Sequence, residues 1–192
     1  MQTTVFTTPV VNAVFRWLAN GCLWLSGWRV TGELPVNEPK YVLIGAPHTS
    51  NWDFLLMLLA VLHKRMDIHW MGKDSLFRGP LGPVMRWLGG IAIDRSQANG
   101  LVDQMVAVYQ QSAAMVVTIP PEGTRKKVER WKTGFYWIAH KAGVPIVLGY
   151  ADFGRKEVGF GPLFYPTGDI ARDMPLIQAF YQDKQAKHPA LF

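Results

Sequence analysis

The chain has 192 residues, 49% of them hydrophobic and 18% charged, and 20 Lys and Arg against 14 Asp and Glu give a net charge of +6. This composition excludes a disordered chain, and the length favours a single domain with at most a small appendage. Eight Trp, ten Phe and six Tyr, together with a mean hydropathy of +0.05, make a membrane surface an early candidate partner. The lone cysteine, Cys22, excludes an intrachain disulfide and is typical of a reducing compartment. No Cys and His residues have the spacing of zinc ligands, so we predict no metal site.

The first thirty residues predict an amphipathic helix with an aromatic face. Residues 5–30 are apolar but carry a polar residue at about every fourth position, which is too polar for a membrane-spanning helix, and they lack the basic start of a signal peptide. Two interpretations are open: this face packs on the domain's own core, or it lies at a membrane surface while Arg16 on the opposite face meets anionic lipid. The residues that share the aromatic face are Phe6, Val10, Trp17, Trp24 and Trp28.

From Tyr41 onward, short apolar runs alternate with longer helical patterns. This alternation is typical of an α/β fold. Glycines and prolines after Tyr150 predict short turns and strands before a closing helix. The predicted strands span residues 41–46, 67–72, 91–94, 115–119 and 145–150, and the predicted helices span residues 54–62 (buried), 80–88, 101–113, 133–141 and 173–187.

The segment His-Thr-Ser-Asn-Trp-Asp at residues 48–53 contains a candidate general base. Thr49, Ser50 and Asn51 are helix-capping types, so we expect His48 in a loop and Asp53 in the first turn of the next helix. Asp53 could then hold one imidazole nitrogen and leave the other free to accept a proton. Because the chain has no G-x-S-x-G nucleophile, the activated hydroxyl would belong to the substrate. The alternative is a purely structural pair.

Polar residues with positive charge follow three of the predicted strands. Open α/β sheets bind ligands at the carboxyl ends of their strands, and the planar guanidinium of Arg suits phosphate. Several further cations follow closely and are either a solvated loop or ligand contacts: Lys126, Lys127, Arg130 and Lys132. The candidate ligand-binding residues are Lys73 after strand 67–72, Arg95 after strand 91–94, and Glu122, Gly123, Thr124 and Arg125 after strand 115–119.

In this order, the segments resemble the four motifs of the acylglycerolphosphate acyltransferase family, the lysophosphatidate acyltransferases and related glycerolipid enzymes. The family's H-x4-D motif is matched by His48 to Asp53, and its hydrophobic-Asp-Arg motif by Ile-Ala-Ile-Asp-Arg at residues 91–95. Its F-P-E-G-T-R motif is matched by Ile-Pro-Pro-Glu-Gly-Thr-Arg at residues 119–125, and its V-P-I-V-P-V-like motif by Val-Pro-Ile-Val-Leu at residues 144–148.

The resemblance implies an acyltransferase that needs no metal or other cofactor. An acyl chain would pass from an acyl-CoA or an acyl-carrier-protein thioester to the hydroxyl of a lysophosphatidate-like lysophospholipid, in phospholipid biosynthesis. Together with the single cysteine and the aromatic helix, this favours a peripheral or monotopic protein on the cytoplasmic side of a membrane. His48 would be the base and Asp53 its orienting partner. The acceptor would be bound by Arg95 and the Glu122 to Arg125 segment, with Lys73 a looser match. The implied fold is a mixed, largely parallel sheet flanked by helices in residues 31–192, preceded by the amphipathic helix of residues 1–30.

Two departures from the family pattern leave the acceptor headgroup open. A second proline, Pro121, follows Pro120 where the family has a single Phe-Pro, and the fourth motif continues as Leu148-Gly149. A lyso-lipid other than lysophosphatidate is therefore an alternative acceptor. A non-catalytic lipid-binding membrane module and a thioesterase that uses water are further alternatives. Nucleic acid is not an expected partner, because the basic residues are mostly scattered.

Overall fold

The computed structural model describes residues 3–94 and 100–192, and in this range a seven-stranded sheet has the order β1-β7-β6-β2-β5-β3-β4. The strands are β1 (Arg29–Thr31), β2 (Lys40–Ala46), β3 (Ile68–Lys73), β4 (Gly90–Ile93), β5 (Met115–Ile119), β6 (Ile146–Asp152) and β7 (Glu157–Phe164). The helices are α1 (Pro9–Ser26), α2 (Asn51–Lys64), α3 (Gly82–Trp87), α4 (Gly100–Gln111), α5 (Gly134–Ala142) and α6 (Ile170–Ala179), with short 3-10 turns at Asp74–Phe77 and Pro189–Leu191.

The sheet is mixed and largely parallel, as predicted. Strands β6, β2, β5, β3 and β4 all run in one direction, so their carboxyl ends meet at one edge of the sheet. Strand β7 returns antiparallel to β6, and β1 pairs with β7 in parallel. The α/β fold class is therefore confirmed, and the polar segments that follow β2, β5 and β3 leave the sheet at the same edge.

Helices cover both faces of this sheet. Along β2 the side chains alternate, so Tyr41 and Leu43 pack with α2 on one face while Val42 and Ile44 pack with α4 and α5 on the other. All four of these side chains are buried. This double coverage explains why β2 is apolar at nearly every position rather than at every second one.

Several predicted boundaries needed correction. Strand β5 matches the prediction, but the closing helix ends at Ala179 rather than at residue 187, because the chain then turns to bury Tyr181, whose hydroxyl donates to the Gly149 carbonyl at 3.1 Å. A single eight-residue strand, β7, replaces the expected short pieces. In it Gly159 lies against Thr31, where a Cβ would come within 2.4 Å of the Thr31 hydroxyl, so glycine permits the pairing of β1 with β7.

Helix α2 is only partly buried, whereas the sequence predicted a buried helix. Leu56, Ala60 and Val61 are in the core, but Phe54 is 58% exposed. The helix is also longer than predicted, because it begins at Asn51 immediately after its cap and continues to Lys64. Its exposed first turns therefore place apolar side chains at the surface beside His48.

Helix α1 directs most of its aromatic face away from the protein. Trp17 is 75% exposed and Trp24 is 81% exposed, whereas Ala19 and Leu23 on the opposite face are buried. The interpretation that the whole face packs on the core is therefore wrong. The helix is also shorter than predicted, and Phe6 and Trp28, which lie just outside it, do pack on the core. Within residues 3–94 and 100–192, no helix is both long and apolar enough to cross a bilayer.

Two polar residues of α1 contact α2. The Arg16 Nε donates to the His63 carbonyl on α2 at 3.3 Å, and the Asn20 Oδ1 lies 2.8 Å from His63 Nδ1. Arg16 Nε and Asn20 Oδ1 thus have partners on α2, and the contact of Arg16 with anionic lipid stays a prediction. The division of the chain at residue 30 stays a prediction.

Candidate active site

Two loops at the carboxyl edge of the sheet carry the candidate site. Strands β2 and β5 are hydrogen-bonded neighbours, with Ile44 opposite Ile119. The chain that follows β2 contains His48, and the chain that follows β5 contains Glu122. The register of one strand pair therefore brings together residues that are 74 positions apart in the sequence.

The start of α2 orders the first loop through a capping box. Ser50 is the N-cap, and its hydroxyl oxygen accepts the Trp52 N–H at 3.2 Å. In return, Asp53 Oδ2 accepts the backbone N–H groups of Thr49 and Ser50, each at 2.7 Å, and Oδ1 accepts the Ser50 hydroxyl at 3.0 Å. Asp53 thus lies in the first helical turn, as predicted, and holds the loop that precedes it.

His48 lies beside this carboxylate. Its Nδ1 is 3.5 Å from Asp53 Oδ2, which is longer than an ordinary hydrogen bond, and its side chain is 24% exposed. Within the described ranges, no protein group bonds Nε2. Such long contacts are common in catalytic sites without substrate. The arrangement therefore leaves one imidazole nitrogen available to a bound molecule while Asp53 faces the other.

The environment of Asp53 favours its charged form. Burial alone would raise the pKa of Asp53, but the His48 side chain and the hydrogen bonds from Ser50 and Thr49 outweigh burial and lower it. An ionised Asp53 stabilises a positive charge on the neighbouring imidazole. The pair thus has the electrostatics of a base and its orienting acid.

Glu122 is buried behind the same loop. It is 4% exposed, and its carboxylate accepts the His48 backbone N–H, with Oε2 at 2.9 Å and Oε1 at 3.1 Å. Burial raises the pKa of Glu122 to about 7, although the His48 N–H and the His48 side chain partly offset this effect. The Glu122 side chain therefore contacts the backbone of His48, the candidate base, and not its imidazole.

Gly123 and Lys132 extend the site on its other side. Gly123 adopts φ +67°, and a Cβ there would come within 2.7 Å of the Lys132 side chain, so only glycine fits this turn. Lys132 lines the same cavity as His48. From the sequence, Lys132 is only one of several loop cations, because no spacing rule shows that the loop folds back over Gly123.

The other ligand-binding residues predicted from the sequence lie less close to His48 or outside the described residues. Arg125 is exposed, and its Nη1 donates to Asn51 Oδ1 at the start of α2, which joins the two loops. Thr124 is exposed and its hydroxyl accepts the Lys126 N–H at 3.4 Å. Lys73 is exposed at the carboxyl end of β3, but it is not among the residues that line the cavity. Arg95 lies outside the described residues.

A largely apolar cavity of about 670 Å³ opens beside His48. This volume is within the range of roughly 300–1,000 Å³ that is usual for small-molecule sites. Across residues 3–94 and 100–192, no three His, Cys, Asp or Glu side chains gather as metal ligands would. The apolar part of the cavity is lined by Phe54, Met57 and Ala60 of α2, Trp70 of β3, Leu101 of α4, and Phe135 and Ile138 of α5.

Known proteins resemble this chain over the same region. A family model described as Acyltransferase matches residues 27–147, which include both loops. Among curated relatives, the probable 1-acyl-sn-glycerol-3-phosphate acyltransferase of Mycoplasma pneumoniae is 31% identical over 65% of this chain and 50% of its own length. The 1-acyl-sn-glycerol-3-phosphate acyltransferases of Haemophilus influenzae and Escherichia coli are 28% and 29% identical, over 71% and 64% of this chain. The chain spans about half the length of these relatives, 50%, 59% and 52% respectively.

A solved structure supports the fold. The crystal structure of the 1-acyl-sn-glycerophosphate acyltransferase of Thermotoga maritima matches with a TM-score of 0.58 and 18% identity. The match covers 92% of this chain and 82% of that one. At this level of identity, the likeness concerns the arrangement of helices and strands.

Proposed function

Because this chain belongs to the acyltransferase family, we propose that it transfers a fatty acyl chain from a thioester to the hydroxyl of a lysophosphatidate-like lyso-lipid. One observation carries the proposal: the His48 and Asp53 pair stands at an apolar cavity of about 670 Å³, with Nε2 of His48 free of protein partners in the described ranges. A base beside an apolar cavity suits a substrate that has both a hydroxyl and a hydrocarbon chain.

In the proposed reaction, His48 Nε2 removes the proton of the acceptor hydroxyl while the hydroxyl oxygen attacks the thioester carbonyl carbon. The tetrahedral intermediate then expels the thiolate, and the imidazolium returns the proton to sulfur, which leaves an ester and a free thiol. Asp53 stabilises the imidazolium until that proton is returned. General-base assistance of this kind typically contributes roughly 10² to 10⁴-fold.

The cations at the edge of the sheet support a phosphate-bearing acceptor. The Arg125 side chain donates to Asn51 at the start of α2, close to the first loop. Lys132 lines the cavity itself. Lys73 and Arg95 stay candidates from the sequence. The relatives of Haemophilus influenzae and Escherichia coli are named for 1-acyl-sn-glycerol-3-phosphate, which favours the same class of acceptor. Acyl-CoA and acyl-carrier protein are both suitable donors.

The exposed aromatic face of α1 supports attachment of the protein to a membrane surface. Trp17 and Trp24 are largely exposed on a helix whose opposite side contacts α2 through Arg16 and Asn20. Tryptophan suits the boundary between headgroups and acyl chains, because its apolar ring carries one polar N–H. We therefore propose a peripheral attachment on the cytoplasmic side, which would give the cavity access to lipid substrates.

Thiol release tests the proposed reaction directly. Purified protein is mixed with acyl-CoA or acyl-carrier protein and a panel of lyso-lipids, and free thiol and acylated lipid are measured together. We expect release that depends on the acceptor, and a loss of at least ~100-fold in His48→Ala. His140→Ala, which removes an exposed histidine on α5, is the matched control and should retain activity.

The alternatives give different results in the same assay. Equal activity in His48→Ala and the wild type would contradict the role of His48. Thiol release that does not depend on any lyso-lipid would indicate a thioesterase. Lipid binding without thiol release across the panel would indicate a non-catalytic lipid-binding module.

A further inference from the structure

Three consecutive backbone N–H groups in the loop of His48 are held by two carboxylates. Asp53 Oδ2 accepts those of Thr49 and Ser50 at 2.7 Å each, and Glu122 accepts that of His48 at 2.9 Å. The Asp53 bonds are local, because that residue lies in the helix the loop leads into. The Glu122 bond is the one that ties the loop to the strand end of β5.

Glu122 is turned away from the cavity that would receive substrate. Its neighbours Pro121 and Gly123 line the cavity beside His48, whereas Glu122 itself lines a smaller cleft of about 230 Å³ with Tyr181 and Trp131. Both of its carboxylate oxygens lie within 3.1 Å of the His48 nitrogen. A substrate in the main cavity would therefore meet the backbone on either side of Glu122 rather than its carboxylate.

We propose that Glu122 is a positioning residue that acts on the reaction through the backbone of His48, and that it does not contact the acceptor. This inference rests on the proposed function and departs from the acceptor-binding role that the sequence resemblance implied for Glu122.

The physical role follows from the geometry. The imidazole must stay close to Asp53 on one side and to the acceptor hydroxyl on the other, so a shift of the His48 backbone displaces both contacts. Displacements of about 1 Å can cost roughly 100-fold in rate. An acceptor for the His48 N–H keeps that backbone in place without itself entering the reaction.

Two substitutions separate positioning from binding. Glu122→Gln retains a side-chain oxygen that can accept the His48 N–H, and we expect kcat within about threefold of the wild type. Glu122→Ala removes the acceptor, and we expect kcat to fall roughly 10- to 100-fold while KM for the lyso-lipid changes less than about threefold. Glu129→Ala, an exposed glutamate of the same loop, is the matched control. A tenfold rise in KM for the lyso-lipid in Glu122→Gln, with kcat unchanged, would overturn the proposal.

Hydrogen exchange of residues 44–54 provides a readout that does not depend on activity. We expect faster exchange of the His48 amide in Glu122→Ala and near wild-type exchange in Glu122→Gln. If the wild type shows no acyl transfer, the proposed function fails, while the exchange result still decides whether Glu122 holds the loop. If Glu122→Ala does not fold, the kcat, KM and exchange rate of Glu122→Gln decide the question. Fast exchange of His48 in Glu122→Gln would refute the hydrogen-bond role.

Discussion

Replacing Trp17 and Trp24 with alanine should sharply weaken binding of the protein to lipid vesicles. The two side chains are 75% and 81% exposed, so they contribute little to the core. Both lie on the face of α1 that is opposite to the buried Ala19 and Leu23. The double substitution therefore removes the proposed membrane contact while leaving the contact between α1 and α2 in place.

The expected magnitude follows from the exposed area. A Trp side chain offers roughly 200 Å², so the two exposed rings present about 300 Å², and at about 25 cal/mol per Å² their full transfer would contribute about 8 kcal/mol. If half of this area enters the lipid boundary, the loss is about 4 kcal/mol, or roughly a thousandfold in the partition coefficient. We therefore expect binding to weaken by about 10² to 10³-fold.

Co-sedimentation with vesicles of phosphatidylcholine and phosphatidylglycerol measures this effect. Leu176→Ala is a suitable control, because Leu176 is 57% exposed on α6, away from α1. The unfolding temperature of all variants should match the wild type. A change of less than about threefold in the double variant would refute the role of this face. Deletion of residues 1–30 is a poorer test, since it also removes the buried Leu23 and part of β1.

Two further predictions concern the carboxylates of the site. Asp53→Asn should lower stability by about 1–3 kcal/mol, because an amide cannot accept all three hydrogen bonds that Asp53 receives, and should slow thiol release by at least ~100-fold. Asp103→Asn, at an exposed position of α4, is the control. If Asp53→Asn leaves both the urea unfolding curve and the activity unchanged, the role of Asp53 is contradicted. Because the pKa of Glu122 rises from 4.5 to about 7 on folding, the native state binds this proton more tightly and loses stability as pH rises through that window, by at most about 3 kcal/mol. In urea unfolding, the free energy of unfolding of Glu122→Gln should rise relative to that of the wild type between pH 5 and pH 8. A difference between the two that does not change with pH would count against this prediction.

The start of α2 shows how much of the site is encoded locally. The polar residues between the first apolar run and the next helical pattern predict a cap, and the structure confirms Ser50 as the N-cap with Asp53 folded back on the loop. These contacts join residues no more than five positions apart, so helix-capping chemistry alone is enough to find them. The glycine that ends α5, Gly143, is equally local, because its left-handed φ of +67° closes the helix.

The neighbours of the site across the fold depend on strand pairing. Glu122 reaches the His48 backbone only because β2 and β5 are adjacent with Ile44 opposite Ile119. Nothing near Glu122 in the sequence shows which way its carboxylate points. The same holds for Lys132, which enters the cavity because the loop turns back at Gly123.

The sequence by itself determined the α/β class, strands β2 to β6 and the capped turn that places His48 beside Asp53, because each depends on hydrophobic periodicity or on contacts within a few residues. Only the tertiary structure decided that α1 exposes Trp17 and buries Ala19 and Leu23 on its opposite face. Periodicity shows that a helix has two faces, but which one is covered depends on the partner that packs against it, and here α2 binds the face of Arg16 and Asn20. Long-range packing thus leaves Trp17 and Trp24 on an exposed surface, whereas other aromatic residues, such as Phe135 and Tyr136, are in the core.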